Sequence, residues 1–371
     1  MPAEWERHAA TWLAWPHNAS DWPGKFPPIP WVYGEIVRHL APGETVRILV
    51  NSASHQTQAG RILKKVGVDL ARVDFLRFPT NRGWTRDSGP IFVRTGGAKS
   101  LLAIARFHFN AWAKYKDWKK DDRIPELAAK RFKLPLINAK MVLEGGSIDV
   151  NGRGSLLTTE ECLLDAKVQV RNPGFARQDI EAVLRDTLGI SNTIWLGKGI
   201  AGDDTHGHVD DICRFVSAGT VVLCREDNPK DINYKPLAEN RERLQGRGIQ
   251  VIDLPMPRPL YFDGVRLPAS YANFYIANAA VLVPTFNDPN DRTALGILGE
   301  CFSDRPVVGI HAVDLVWGLG TIHCLTQQEP ALTPDHAFTT AKSRHDCPSE
   351  LESARDCASR RSRCLPGSAR R

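Results

Sequence analysis

Along the chain, short apolar or β-branched runs alternate with stretches in which apolar residues recur three or four positions apart. The first pattern marks strands and the second marks amphipathic helices. Runs at 45–51, 91–94, 101–107, 147–150, 155–158, 194–196, 212–216, 220–224, 250–254, 274–277 and 280–284 predict strands. Helical spacing over 30–40, 56–66, 177–188, 236–246 and 292–301 predicts helices. The mixture predicts an α/β fold. From about Pro334 onward Ser, Arg, Asp and Cys dominate and apolar periodicity is lost, so 1–335 is expected to be the folded domain and 336–371 a disordered basic tail.

Several segments are variants of one pattern: a polar residue, a short strand, a turn containing Gly or Asn, then a second apolar strand. Residues 144–158 and 271–285 both predict hairpins, and the segments that open at Asp87 and His208 begin in the same way. With Cys324 as a further candidate, the markers Asp87, Glu144, His208, Tyr271 and Cys324 are separated by 57, 64, 63 and 53 residues. A period near sixty predicts repeated supersecondary units arranged around a centre. Chance spacing of similar units in an α/β chain is the competing explanation.

Composition narrows the function classes. With 371 residues, 42% of them hydrophobic, the chain buries a substantial core without staples. Its 48 Lys and Arg exceed its 42 acids by six, but residues 341–371 hold eight basic residues against four acids, which leaves the first 340 at +2. A nearly neutral body lacks the phosphate-neutralising stripe that nucleic-acid binding needs. No run of eighteen apolar residues and no signal-peptide start are present, so a cytoplasmic protein without a membrane partner is expected. Eight cysteines without a CxxC pair read as reduced thiols rather than a zinc site.

If the units surround an axis, the polar residues that open them converge. Cys324 follows Gly318-Leu319-Gly320-Thr321, whose glycines allow close backbone approach to a ligand. As a nucleophile it needs a positive local field; on its own it reads as a small buried hydrophobe. In His206-Gly-His208-Val-Asp210-Asp211, an extended backbone projects residues 206, 208 and 210 on one face. Three readings stand for that stretch: a metal site similar to the HxHxDH motif of binuclear zinc hydrolases, a general acid/base (His208) beside an acceptor for a cation (Asp210), or a polar turn capped by Asp203 and Asp204. Asp87, three residues after Trp84, is either a turn acid or one edge of a planar-cation site covered by the indole. Glu144 repeats the theme of an acid beside glycines. Taken together, three acids, one histidine and one cysteine suit a guanidinium ligand.

The stretches 2–16, 84–90, 144–147, 202–211 and 322–330 resemble the agmatine deiminase and bacterial peptidylarginine deiminase family, over residues 1 to about 335. The resemblance implies a five-bladed α/β propeller of ββαβ repeats around a central active site. It implies that Cys324 attacks the guanidinium carbon and that Asp87 and Asp210 bind its nitrogens. His208 then protonates the departing ammonia and activates water, Glu144 balances charge, and Trp84 lines the channel; no metal or cofactor takes part. Agmatine is the leading substrate, with free or peptidyl arginine as the alternative. A metal-dependent amidinohydrolase using His206, His208 and Asp210, or a non-catalytic guanidino-ligand binder, are the readings from other classes. The expected partner is a small cationic guanidine, and a homo-oligomer is compatible with the sequence. Two departures stand out: Leu319 interrupts a glycine run, and Arg82 replaces an acid that relatives carry two positions before the tryptophan. Arg82, if it reaches the channel, is expected to repel a distal ammonium and to welcome a carboxylate.

Overall fold

The computed structural model describes residues 1–96 and 101–332. The tail expected from residue 336 lies outside the described residues.

Strands of the middle rows are apolar on both faces, as Val221, Val222 and Leu223 or Val281, Leu282 and Val283 show, all at most 2% exposed. Such runs belong in sheets covered on both sides. Four three-stranded sheets share one plan, in which an opening strand pairs antiparallel with a second strand that pairs parallel with a third. They are Ile91–Arg94, Leu102–His108 and Leu136–Val142; Asp149–Val150, Ser155–Thr159 and Asn192–Leu196; Cys213–Ser217, Thr220–Arg225 and Gln250–Pro255; and Tyr275–Ile276, Val281–Thr285 and Val307–His311. A fifth sheet joins the two ends of the described chain: Gln327–Pro330 runs antiparallel to His8–Ala14, which pairs parallel with Thr45–Leu49, followed by Val73–Leu76. The hairpin Tyr261–Phe262 and Val265–Arg266 stands apart. The molecule is therefore a mixed α/β fold of several small sheets, and the paired segments expected at 144–158 and 271–285 are antiparallel pairs as read.

A parallel pair needs a crossover, and helices supply it: Ile29–Leu40, Ile124–Phe132, Arg177–Leu188, Tyr234–Leu244 and Asn290–Cys301 each lie between the strands of a parallel pair. In Arg177–Leu188 the i, i+4 stripe Ile180, Leu184 and Leu188 is buried, each side chain stabilising by roughly 1.5–3 kcal/mol. Asp179 accepts a hydrogen bond from the Ala176 amide at 2.8 Å at the start, and Gly189 at φ 73° ends the helix in the left-handed region. Among the described residues, no helix is long and apolar enough to cross a membrane.

The elements without an expectation have physical reasons in common. Gln327–Pro330 is wholly buried yet entirely polar or proline, so no apolar run betrays it. Two of its side chains are held by partners far away in sequence: Glu329 accepts from the Trp12 indole at 2.7 Å and from Arg47 at 2.8 Å, and Gln328 accepts from Arg86 at 2.8 Å. The strand expected at 147–150 begins instead as the tight turn Gly145–Ser147, in which the Ser147 hydroxyl donates to the Glu144 carbonyl at 2.6 Å.

Candidate active site

Asp87, Glu144, His208 and Cys324 each lie in the turn just before an opening strand, and the four side chains are brought together in the interior, none more than 5% exposed. The fifth marker, Tyr271, is elsewhere: its hydroxyl donates to Asp291 at 2.7 Å. Asn273, two residues on, takes its place. Two glycines make the convergence possible. A Cβ on Gly146 would lie 2.6 Å from His208 Nδ1, 2.8 Å from Asp87 Oδ1 and 3.0 Å from Asp210 Oδ2. One on Gly320 would lie 2.9 Å from the Trp84 ring and 3.2 Å from Cys324 Sγ.

His208 is the centre of the cluster. Its Nδ1 is 3.8 Å from Asp87 Oδ1 and 3.9 Å from Asp210 Oδ1, and its Nε2 is 3.7 Å from Glu144 Oε2. These separations are too long for hydrogen bonds. Both ring nitrogens, Glu144 Oε2 and Asp210 Oδ1 are accordingly buried without a partner in the protein. The remaining carboxylate oxygens are tied down. Asp87 accepts from the Trp112 indole at 2.9 Å and the Gly146 amide at 3.1 Å, Glu144 from Arg171 at 3.1 Å, and Asp210 from His323 at 2.6 Å. Each acid thus has a fixed orientation, and Glu144 and Asp210 each keep one oxygen without a hydrogen-bond partner, on opposite nitrogens of the His208 ring. Cys324 Sγ is 3.9 Å from Asp210 Oδ2 and accepts a hydrogen bond from Asn273 Nδ2 at 3.1 Å. The Thr321 hydroxyl donates to the Asn273 carbonyl oxygen at 2.7 Å and fixes that amide.

The charges are uneven. Burial, then the carboxylates of Asp210, Asp211 and Asp87, push the Cys324 thiol well above the usual range. Burial opposes charge on His208, but Asp87, Cys162 and Glu144 outweigh it and raise the ring well above an ordinary histidine. Burial lifts Asp87 to about 6 against the pull of His208. For Glu144 burial works upward, yet the Arg171 guanidinium prevails and holds the carboxyl at about 2. An acid-rich site of this kind favours a cation.

Cys324 and Asp87 lie at the floor of a pocket of about 500 Å³, with Trp84, Trp112 and Leu319 on its walls. Trp84 packs against Trp22 with ring centroids 5.4 Å apart. Leu319 adopts φ 67°, a left-handed conformation unusual for a branched residue. At the rim, Arg82 pairs with Asp21 and, at 3.1 Å, with Asp117, and its guanidinium lies over the Tyr115 ring. Lys114 pairs with Asp204 across the same opening. Arg82 lines the pocket. Its charge is nevertheless met by two acids, and Asp21, Asp117 and Asp204 outnumber Arg82 and Lys114, so the expected repulsion of a distal ammonium loses its basis.

The grouping of His206 with His208 and Asp210 also fails. Asp203 accepts from the amides of Gly207 at 2.7 Å and His208 at 3.1 Å, which curls the segment, and His206 adopts φ 64°. Its ring turns outward to Asp165, with Nε2 at 2.9 Å from Oδ2. Among the described residues, the clusters of potential ligands are Glu144, Cys162 and His208, and Asp210, Asp211 and Cys324; neither includes His206. Sequence reasoning missed Glu4, Trp112, Arg171, Asn273 and His323. Only His323, next to Cys324, carried a local signal; the others act across long sequence separations.

The chain matches the Porphyromonas-type peptidyl-arginine deiminase family over residues 1–330. It is 34% identical to the agmatine deiminase of Ectopseudomonas mendocina (strain ymp), over 89% of this chain and 95% of that protein. Among solved structures, a cysteine-to-serine variant of C. jejuni agmatine deiminase with substrate bound superposes with a TM-score of 0.80 at 31% identity, covering 89% of this chain and 95% of that one. The agmatine deiminase of Enterococcus faecalis also gives 0.80, at 29% identity over 90% of this chain and 96% of that one. A family match spanning almost every described residue, together with relatives above 30% identity, makes this chain a member of the Porphyromonas-type peptidyl-arginine deiminase family.

Proposed function

We propose that the chain is a hydrolase of linear amidines that converts agmatine and water into N-carbamoylputrescine and ammonia through a covalent bond to Cys324. The observation that carries the reading is the set of buried, unpartnered atoms of Glu144 and Asp210 gathered about the His208 ring, with Asp210 also 3.9 Å from Cys324 Sγ. A guanidinium presents N–H donors to the carboxylate oxygens and its cationic carbon to the sulfur. Arrival of the cation offsets the acids that keep the thiol protonated, and the thiol releases its proton to solvent as the thiolate forms. Attack forms a C–S bond; the protonated His208 gives its proton to the departing nitrogen, and ammonia leaves. Neutral His208 then takes a proton from water, the oxygen adds to the thiouronium carbon, and the C–S bond breaks as the hydroxyl proton passes to the leaving sulfur and restores the thiol. The relatives named above are agmatine deiminases, and the net acidity of the rim suits a distal ammonium better than a carboxylate.

The same reading makes the five sheets the blades of a five-bladed α/β propeller. The support is that four of the opening strands follow directly on Asp87, Glu144, His208 and Cys324. Replacing Cys324 by Ala should abolish ammonia release from agmatine while circular dichroism stays native. Ammonia release at the parental rate would sink the covalent mechanism. A mass-spectrometric comparison of agmatine, arginine and an arginine peptide, scored by NH-to-O exchange, tests the substrate.

A further inference from the structure

Three residues far apart in sequence form a continuous buried chain behind the pocket. His323 Nδ1 lies 2.6 Å from Asp210 Oδ2, and His323 Nε2 lies 2.8 Å from Glu4 Oε2. The side chains are 1%, 0% and 5% exposed. Each ring nitrogen is within hydrogen-bond distance of a carboxylate oxygen, so the ring bridges the two acids. Glu4 is anchored in turn by Arg86 at 3.1 Å and by Arg214 at 2.9 Å. The arrangement commits one oxygen of Asp210 and leaves the other, Oδ1, without a hydrogen-bond partner and 3.9 Å from His208 Nδ1. Because His323 is joined through the backbone to Cys324, it also sets where that carboxylate stands relative to the sulfur.

We propose that Glu4 and His323 are positioning residues for the deimination described above: a charged brace that locks Asp210 with Oδ1 toward the guanidinium and in register with Cys324. The inference rests on that reaction. A brace has two consequences that a merely structural salt bridge lacks. Without it Asp210 rotates, and a misplacement of this kind weakens both capture and turnover of the substrate. Asp210 also loses the cation that holds its carboxyl down. His208, Arg214, Asp87, Asp211 and Cys324 also face it, and burial already works upward. The acid limb of kcat/KM then moves to higher pH.

The test uses the full chain with Glu4→Gln and His323→Gln, each also combined with Cys324→Ala for binding measurements. Glutamine at 323 donates to one carboxylate but not to both, and glutamine at 4 keeps the shape while removing the charge. For His323→Gln we expect kcat/KM for agmatine to fall on the order of 10²-fold, with the acid limb displaced upward. Glu4→Gln should shift both in the same direction by a smaller amount. In the Cys324→Ala background, agmatine Kd by calorimetry should weaken about tenfold or more, the equivalent of 1.4 kcal/mol. A variant with native circular dichroism that lacks either the weakened binding or the displaced limb overturns the brace. If His323→Gln does not fold, Glu4→Gln decides alone. Failure of the parent chain to release ammonia would instead overturn the deiminase reading, and the calorimetric comparison would still judge the brace.

Discussion

At the scale of single residues, the proposed site works by opposition: the acids offered to a cation are also the ones that raise the Cys324 thiol. Asp87 shows how this reaches an observable. Burial lifts its carboxyl to about 6 in the free protein. Below that pH it is neutral and no longer attracts a guanidinium; above it the anion is available. We therefore expect kcat/KM for agmatine to fall as pH drops through about 6, with kcat less affected because a bound cation favours the anion. A pH profile of both constants checks this, and a kcat/KM that stays flat down to pH 5 would contradict it. Glu144 behaves differently because Arg171, with a fully buried side chain, lies beside it at 3.1 Å. Held at about 2, it stays ionised across the same range and contributes stability that is lost only as pH falls from the unfolded value near 4 toward 2. The motif-matched residues were legible in the sequence because each lies within four residues of a glycine in a short polar stretch. Arg171 and Asn273 were not, since their role exists only once turns from different sheets meet.

At the scale of elements, legibility followed chemistry. Strands such as Ile91–Arg94 and helices such as Arg177–Leu188 agree with the apolar pattern to the residue, because burial of that pattern is what forms them. Gln327–Pro330 is held by hydrogen bonds and ion pairs and leaves no such trace. The turn that ends the segment Leu315–Gly318 carries the other departure, Leu319 at φ 67° on the pocket wall. Replacing Leu319 by Gly relieves a left-handed strain of about 1–2 kcal/mol but adds unfolded-chain entropy of similar size, roughly 0.5–1 kcal/mol. Thermal stability should hardly change. Loss of the side chain widens the pocket, so KM for agmatine should rise severalfold with kcat nearly constant; a large drop in Tm would refute this account of the turn.

At the scale of the whole molecule, the fifth sheet joins the beginning of the described chain to its end. Glu329 in the last strand holds Trp12 and Arg47, and Glu4 in the first segment holds His323. A chain stopped after residue 335 should keep kcat/KM for agmatine within about twofold, since the family match ends at 330. A chain stopped after residue 326 removes Gln327–Pro330 and should lose cooperative melting or precipitate. Parallel melting curves and ammonia assays on the two truncations test both statements; full activity in the shorter chain would contradict the role given to that strand.

The pairing of Gln327–Pro330 with His8–Ala14 also sets the order of events in biosynthesis. Synthesis delivers Glu4 and His8–Ala14 roughly 300 residues before Cys324 and Gln327–Pro330, so the early residues wait for almost the entire described chain. On the proposed mechanism a nascent fragment that ends before Cys324 lacks the nucleophile, and it is expected to release no ammonia from agmatine.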